Sequence, residues 1–221
     1  MSIGVICCRV LEKEIRAVIS GVSEVSHLEV MEWGLHIQPD RLLDTVNQRI
    51  RSLERRVDAV MLGYGRCQAL DRLPSDFAVP VLRPEGEDCI GVLLGQHRYE
   101  EELKREAGTW FLTPGWTELG MEFIFQQLQL ENLAEKGLDP MKVAHRMLRD
   151  FTRSLFIDMR LENGPELWEK ALSISNEFDL RLESTEGSLE RLIDTLNRAI
   201  GVSSHGKKFR SNARNAHPPE P

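Results

Sequence analysis

The chain has 221 residues, 41% hydrophobic and 29% charged, with a net charge of −7. That is enough chain for one sizeable domain with an ordinary core. No apolar run approaches the ~18–20 residues of a membrane span, and an acidic body without a basic stripe argues against nucleic acid as the main partner. The opening residues lack a basic leader and read as a strand, and the four cysteines point to a reducing, cytoplasmic setting and to metal or redox roles rather than disulfides.

Residues 2–7 form a short apolar run, as in a buried parallel strand. Leu11, Ile15, Val18, Ile19 and Val22 then recur at helical spacing, with Gly21 near the stop. Residues 27–33 read as a second strand. A helix opens at Gln38-Pro39 and carries Leu42, Leu43, Val46 and Ile50 on one face. Residues 57–62 are a third strand, followed by the tight turn Gly63-Tyr64-Gly65-Arg66-Cys67. Residues 78–82 are a short fourth strand, 88–94 an apolar helix, 96–106 a charged amphipathic helix and 109–113 a fifth strand. Beyond it, 119–133 and 139–150 read as helices, the latter with Asp139 as N-cap and Pro140 at the first position. The pattern closes with a strand at 154–159, a helix at 164–178, a strand at 180–183 and a helix at 188–199.

Strands alternating with helices predict an α/β, Rossmann-like fold, with a mainly parallel sheet and helices on both faces. The expected organisation is one domain over 1–202, with sub-lobes 1–117 and 118–202. The segment 203–221 carries about +3, leaving the body near −10, and its composition predicts a disordered basic tail.

In open α/β sheets ligands bind outside the carboxyl ends of the strands. Cys8, His36, Cys67 and Cys89 each fall just past such an end. Together they predict a metal site of three thiolates and one imidazole, which suits zinc or, alternatively, an iron–sulfur cluster. No Cys-x-x-Cys pair is present, so zinc-ribbon and ferredoxin spacings are excluded. Cys7 and Cys8 are adjacent, so strand geometry sends them to opposite faces, and Cys7 is assigned to the core. The Gly63-x-Gly65 turn lacks a third glycine for dinucleotide binding, since Gln68 stands there. Tyr64, Asp88, Thr113 and Trp116 are the expected walls of a substrate pocket on the same rim, with Glu85, Glu87 and Asp88 available to cap the following helix.

The segments Leu62-Gly-Tyr-Gly-Arg-Cys67, Asp88-Cys-Ile-Gly-Val-Leu-Leu-Gly95 and Gly108-Thr-Trp-Phe-Leu-Thr-Pro-Gly-Trp116 resemble the domain-of-unknown-function 1638 family of prokaryotic proteins. The resemblance spans roughly residues 3–200 and departs at Glu87, where the family usually has histidine, and at Gln68-Ala69, where it often has Asn-Gly. It implies company with corrinoid-dependent methyl-transfer systems. The expected function is therefore that of a cytoplasmic metal-binding protein of one-carbon metabolism. One form is a zinc-thiolate methyl or sulfur transferase acting on a small molecule. The alternative is a non-catalytic accessory protein that carries a metal, iron–sulfur cluster or cofactor to a methyltransferase partner.

Overall fold

The structure, a computed structural model, describes the backbone of residues 1–214 and the side chains of residues 1–203. Its first sheet has four parallel strands: β1 (Ile3–Cys8), β2 (Val25–Met31), β3 (Ala59–Gly63) and β4 (Val81–Leu82), in the order β2-β1-β3-β4. β1 is buried along its whole length and pairs on both sides, with Cys8 opposite Met31 and Cys7 opposite Gly63. A strand buried on both faces needs apolar residues throughout, which is why the run at residues 3–8 does not alternate. Helix α1 (Glu12–Ile19) follows β1, and α2 (Pro39–Leu53) follows β2. In α2 the proline sits at the start, and Leu42, Val46, Ile50 and Leu53 form the buried stripe against the sheet.

After β4 come α3 (Cys89–Leu94) and α4 (Gln96–Arg105), and then β5 (Thr109–Leu112). β5 does not extend the first sheet. It pairs in parallel with β6 (Arg153–Asp158), which pairs with β7 (Arg181–Glu186), making a second sheet β5-β6-β7. The fifth strand thus falls with the second half of the chain, ahead of the sub-lobe division expected at residue 117. Between β5 and β6 lie α5 (Pro114–Gln127) and α6 (Pro140–Leu148), and α7 (Gly164–Glu177) joins β6 to β7. Asp139 caps α6 through the Met141 and Lys142 amides, with Pro140 at the first position, as the sequence predicts.

The fold is α/β with two parallel sheets flanked by helices. One core lies between the sheets and joins them: Val5, Cys7 and Met61 from the first, Phe111, Leu155 and Ile157 from the second, and Leu192, Leu196 and Ala199 from α8 (Glu190–Arg214). The outer faces are covered by α2 on the first sheet and by α6 and α7 on the second. Helix α8 returns to pack on β1, β3 and β4. Its backbone runs on to Arg214, into the segment 203–221 expected to be disordered; side chains from 204 and all of 215–221 lie outside the described residues. Among the described residues no helix is long and apolar enough to cross a membrane.

One buried cation ties the second sheet to α4. Arg153 is 0% exposed. Its Nη2 donates to the Glu102 carboxylate at 2.7 Å and to the Glu102 carbonyl at 3.0 Å, its Nη1 to Glu183 at 2.9 Å, and its Nε to the Thr109 hydroxyl at 2.8 Å. Removing the buried member of such a network deletes the charge that holds Glu102, Glu183 and Thr109 together. Arg153→Ala is expected to lower unfolding stability by about 3–5 kcal/mol. Arg72→Ala, which breaks only the exposed pair with Asp40, is expected to cost under about 1 kcal/mol. Urea unfolding of the two variants reads the difference directly.

Glu14 on α1 is the opposite case. It is 0% exposed, and neither carboxylate oxygen has a partner among the described residues. Burial pushes its carboxyl up to about 7, with Glu118 adding to the rise and Lys13 opposing it. An acid whose folded pKa is raised contributes most at low pH, and that contribution is lost as pH climbs from about 4.5 to 7. Glu14→Gln should remove this decline. At pH 8 the variant is expected to be more stable than the parent by about 1–3 kcal/mol, with a smaller difference at pH 5, in parallel thermal melts.

Candidate functional site

The four carboxyl ends of the first sheet open onto one crevice, closed on its far side by the second half of the molecule. Cys8 ends β1 and lies on the outer face of the sheet, while Cys7 is 0% exposed in the core between the sheets. Adjacent strand residues point oppositely, so one of the pair is delivered to the rim and the other withheld. His36 stands in a short 3-10 turn, Trp33–Ile37, after β2. Tyr64, Gly65 and Cys67 follow β3. Asp88 and Cys89 begin α3 after β4.

The local chemistry explains each placement. Asp88 is the N-cap of α3, accepting from the Gly91 amide at 2.7 Å. Its other oxygen accepts from the Tyr99 hydroxyl at 3.0 Å, which ties α4 to the site. Gly65 lies against the Asp88–Cys89 peptide so closely that a Cβ there would collide with Asp88 C and O and with Cys89 N. The notch brings the Cys67 loop onto the start of α3, and the Arg66 amide donates to the Gly86 carbonyl at 3.1 Å beside it. Gly115 does the same on the other side: a Cβ would meet the Val10 carbonyl, so α5 sits directly on the turn after Cys8.

The crevice has two connected parts. One, about 490 Å³, runs along the Tyr64–Ala69 loop past Cys67. The other, about 310 Å³, is walled by Val10 and Ile90, by β5, and by Trp116, Phe123 and Gln127 of α5. Cys8, His36, Asp88 and Cys89 line both. A hollow of about 660 Å³ on the loop side of β4 and another of about 490 Å³ along β2 are more open and contain no thiol. Trp116 and Phe123 make the apolar end wall, set edge to face with centroids 5.2 Å apart, and Trp33 packs behind Phe123 at 5.3 Å.

All four residues expected to ligate a metal therefore reach the same crevice. As they stand, however, no group of three or more His, Cys, Asp or Glu side chains among the described residues is arranged to hold one ion. Of the expected pocket walls, Tyr64, Asp88 and Trp116 line the crevice. Thr113 does not. It is fully buried, its hydroxyl accepts from the Trp116 amide at 3.2 Å, and its carbonyl receives the Thr117 amide and hydroxyl. Its role is to start α5 and so to aim Trp116; a hydroxyl one residue before a proline-led helix is an N-cap signal that explains the error.

Sequence reading also missed Phe123 and Gln127, although their spacing from Trp116, seven and eleven residues, is that of one helical face. The predicted helix over 119–133 begins instead at Pro114 and breaks at Gly120, whose φ of 66° no helix interior accommodates. The break re-aims the second half of α5 toward the crevice.

The site is electrostatically quiet. Burial holds the Cys8 thiol up to about 11, with Cys67 adding to the rise and the Val10 amide opposing it. Burial likewise pushes Cys89 up to about 12, reinforced by Cys8 and opposed by the Gly65 amide. Desolvation lowers the His36 pKa, so its imidazole is neutral at physiological pH. Burial, followed by the nearby thiols, raises the Tyr64 phenol. Tyr64 is only 5% exposed, and its hydroxyl has no partner among the described residues.

Geometry thus defines a two-sheet α/β protein with a thiol-lined crevice at the strand ends. The family model described as "Protein of unknown function (DUF1638)" matches residues 30–196, and the chain belongs to that family. The match takes in His36, Cys67 and Cys89 but begins after Cys8. A search of curated proteins returns no match.

Protonated thiols react slowly, because the thiolate is the nucleophile. At pH 8 and without added metal, Cys8 and Cys89 are expected to react with iodoacetamide at about one hundredth the rate of an ordinary free thiol, or less. Their labelling should accelerate as the pH rises toward 11. Peptide mass spectrometry over a pH series measures both rates; labelling of either residue at the ordinary rate at pH 8 would contradict the burial described here.

Proposed function

We propose that the crevice is the working site of a metal–thiolate protein of one-carbon metabolism, acting in methyl or sulfur transfer to or from a small molecule. The observation that carries this reading is the convergence of Cys8, Cys67, Cys89 and His36, from four separate chain segments, on one crevice next to an aromatic-walled chamber. The donor set fits zinc: three thiols and a neutral imidazole are ligands that this ion accepts in tetrahedral sites. The unpartnered Tyr64 hydroxyl, placed among the thiols, fits as well, because it can donate to a sulfur once that sulfur is a thiolate. Side-chain rotation would be needed to draw the ligands together around an ion. When bound there, zinc would supply a stable thiolate at neutral pH or activate a substrate thiol.

The rest is done by the chain's own groups. Tyr99 and the Gly91 amide hold Asp88 at the chamber mouth. Trp116 and Phe123 exclude water from one side of Cys8 and Cys89. Since both thiols are held protonated, metal uptake releases protons, and affinity rises with pH. Four cysteines, all free, agree with a reducing cytoplasm, and the resemblance drawn above supplies a corrinoid methyltransferase system as the partner.

Metal analysis of the anaerobically purified chain tests the proposal. The expected result is about one zinc per chain, the stoichiometry of a four-ligand site. Cys67→Ser and Cys89→Ser should each lose the metal, and Cys7→Ser should keep it at some cost in core packing. Iron and sulfide in place of zinc would move the reading to a cluster carried for a partner. A chain that contains no metal and takes up neither ion anaerobically would end it.

A further inference from the structure

The 310 Å³ chamber holds a second set of unmet hydrogen-bonding groups, apart from the thiols. Thr109, Trp110 and Phe111 all line it, although they are consecutive residues of one strand. Successive side chains of a strand point to opposite faces. Here the Trp110 ring packs on Phe178, with centroids 5.5 Å apart, and the Phe111 ring packs on Tyr99 at 5.0 Å. What all three can present to the chamber together is the edge of the strand. β5 is the outermost strand of its sheet, and among the described residues no strand pairs with its free side. In a parallel ladder, alternate residues turn their N–H and C=O away from the paired neighbour. The chamber thus has a row of backbone donors and acceptors along one wall. Among the described residues no lysine or arginine lines it.

Gln127 adds to that wall. It lines the chamber, and its Nε2 is buried with no partner among the described residues. A buried amide donor left unsatisfied is costly unless something supplies an acceptor. Trp116 and Phe123, set edge to face, provide apolar surface beside it.

We infer that this chamber binds a flat, fused bicyclic lactam heterocycle, of the pterin or purine kind. The alternating donors and acceptors of a lactam edge match the free edge of β5, a carbonyl oxygen or ring nitrogen answers the Gln127 amide, and the rings pack against Trp116 and Phe123. The volume, about 310 Å³, takes a fused bicycle and is too small for a peptide strand laid along β5. With no lysine or arginine among the described residues that line it, nothing in the chamber favours recognition led by a phosphate. The inference names the substrate class of the crevice proposed above and rests on that reading only for its place in the reaction; binding in the chamber requires no metal.

The test is a titration of the full chain under anaerobic conditions with pterin, with guanosine, and with quinoline, a fused bicycle that has no lactam edge. Tryptophan fluorescence and calorimetry read binding, and zinc content is measured on the same samples. Pterin or guanosine is expected to bind saturably and at least tenfold more tightly than quinoline, and whichever of the two is preferred identifies the source of the lactam. Gln127→Leu, which keeps the shape and removes the donor, is expected to weaken that binding about tenfold or more and to leave zinc content unchanged. If this variant melts more than about 5 °C below the parent, discrimination among the three ligands by the unaltered chain decides alone. The inference is overturned if neither lactam saturates, if quinoline binds as tightly, or if a well-folded Gln127→Leu binds with unchanged affinity. Lactam binding by a zinc-free chain would uphold it while the metal reading fails, and zinc without lactam binding would do the reverse.

Discussion

At Gly65 and Gly115 two stretches of backbone lie where a side chain would otherwise stand, and the crevice exists because of them. Gly65 sets the loop after β3 on the first peptide of α3, which brings Cys67 and Tyr64 beside Cys89. Gly115 sets α5 on the turn after β1, which brings Trp116 beside Cys8. Any residue with a Cβ at either position would force apart the two elements in contact, since the atoms it would strike are backbone and not the yielding ends of side chains. The two contacts sit on opposite flanks of the thiols, so together they set the width of the cleft.

The division of labour across that cleft follows from the two sheets. The first delivers reactive groups from the ends of its strands, where parallel topology gathers loops on one side. The second contributes its edge and the kinked helix α5, which shield those groups from water. Burial raises the Cys8 and Cys89 thiols well above the ordinary range. A thiol in that condition is protected from casual oxidation and alkylation, and it turns reactive only when a cation or a hydrogen-bond donor compensates the charge.

Much of this was legible in the sequence where the governing physics is local. The alternation that separates Cys7 from Cys8, the capping by Asp88 and Asp139, and the placement of cysteines and His36 past strand ends all depend on neighbours within a few residues. The transfer of β5 to a second sheet was not legible, because hydrophobic pattern tells which face of a strand is buried and says nothing about which strand lies beside it. Thr113 was misassigned for a related reason: a hydroxyl past a strand end serves equally well as a pocket wall or as a helix cap, and only the direction of the next helix separates the two. Phe123 and Gln127 were missed because the helix was read as starting at residue 119, which separated them from Trp116 although their spacing shares its face.

The return of α8 to the first sheet has a consequence for how the molecule is made. The strands β1, β3 and β4 are complete within the first 82 residues, but the helix that covers part of their inner face begins at residue 190. On the ribosome, that apolar surface emerges long before its cover is synthesised. At ~5–20 residues per second, the hundred residues in between leave it waiting on the order of 5–20 seconds. The first sheet cannot cover its inner face until α8 has been made, so that helix closes over strands formed well before it.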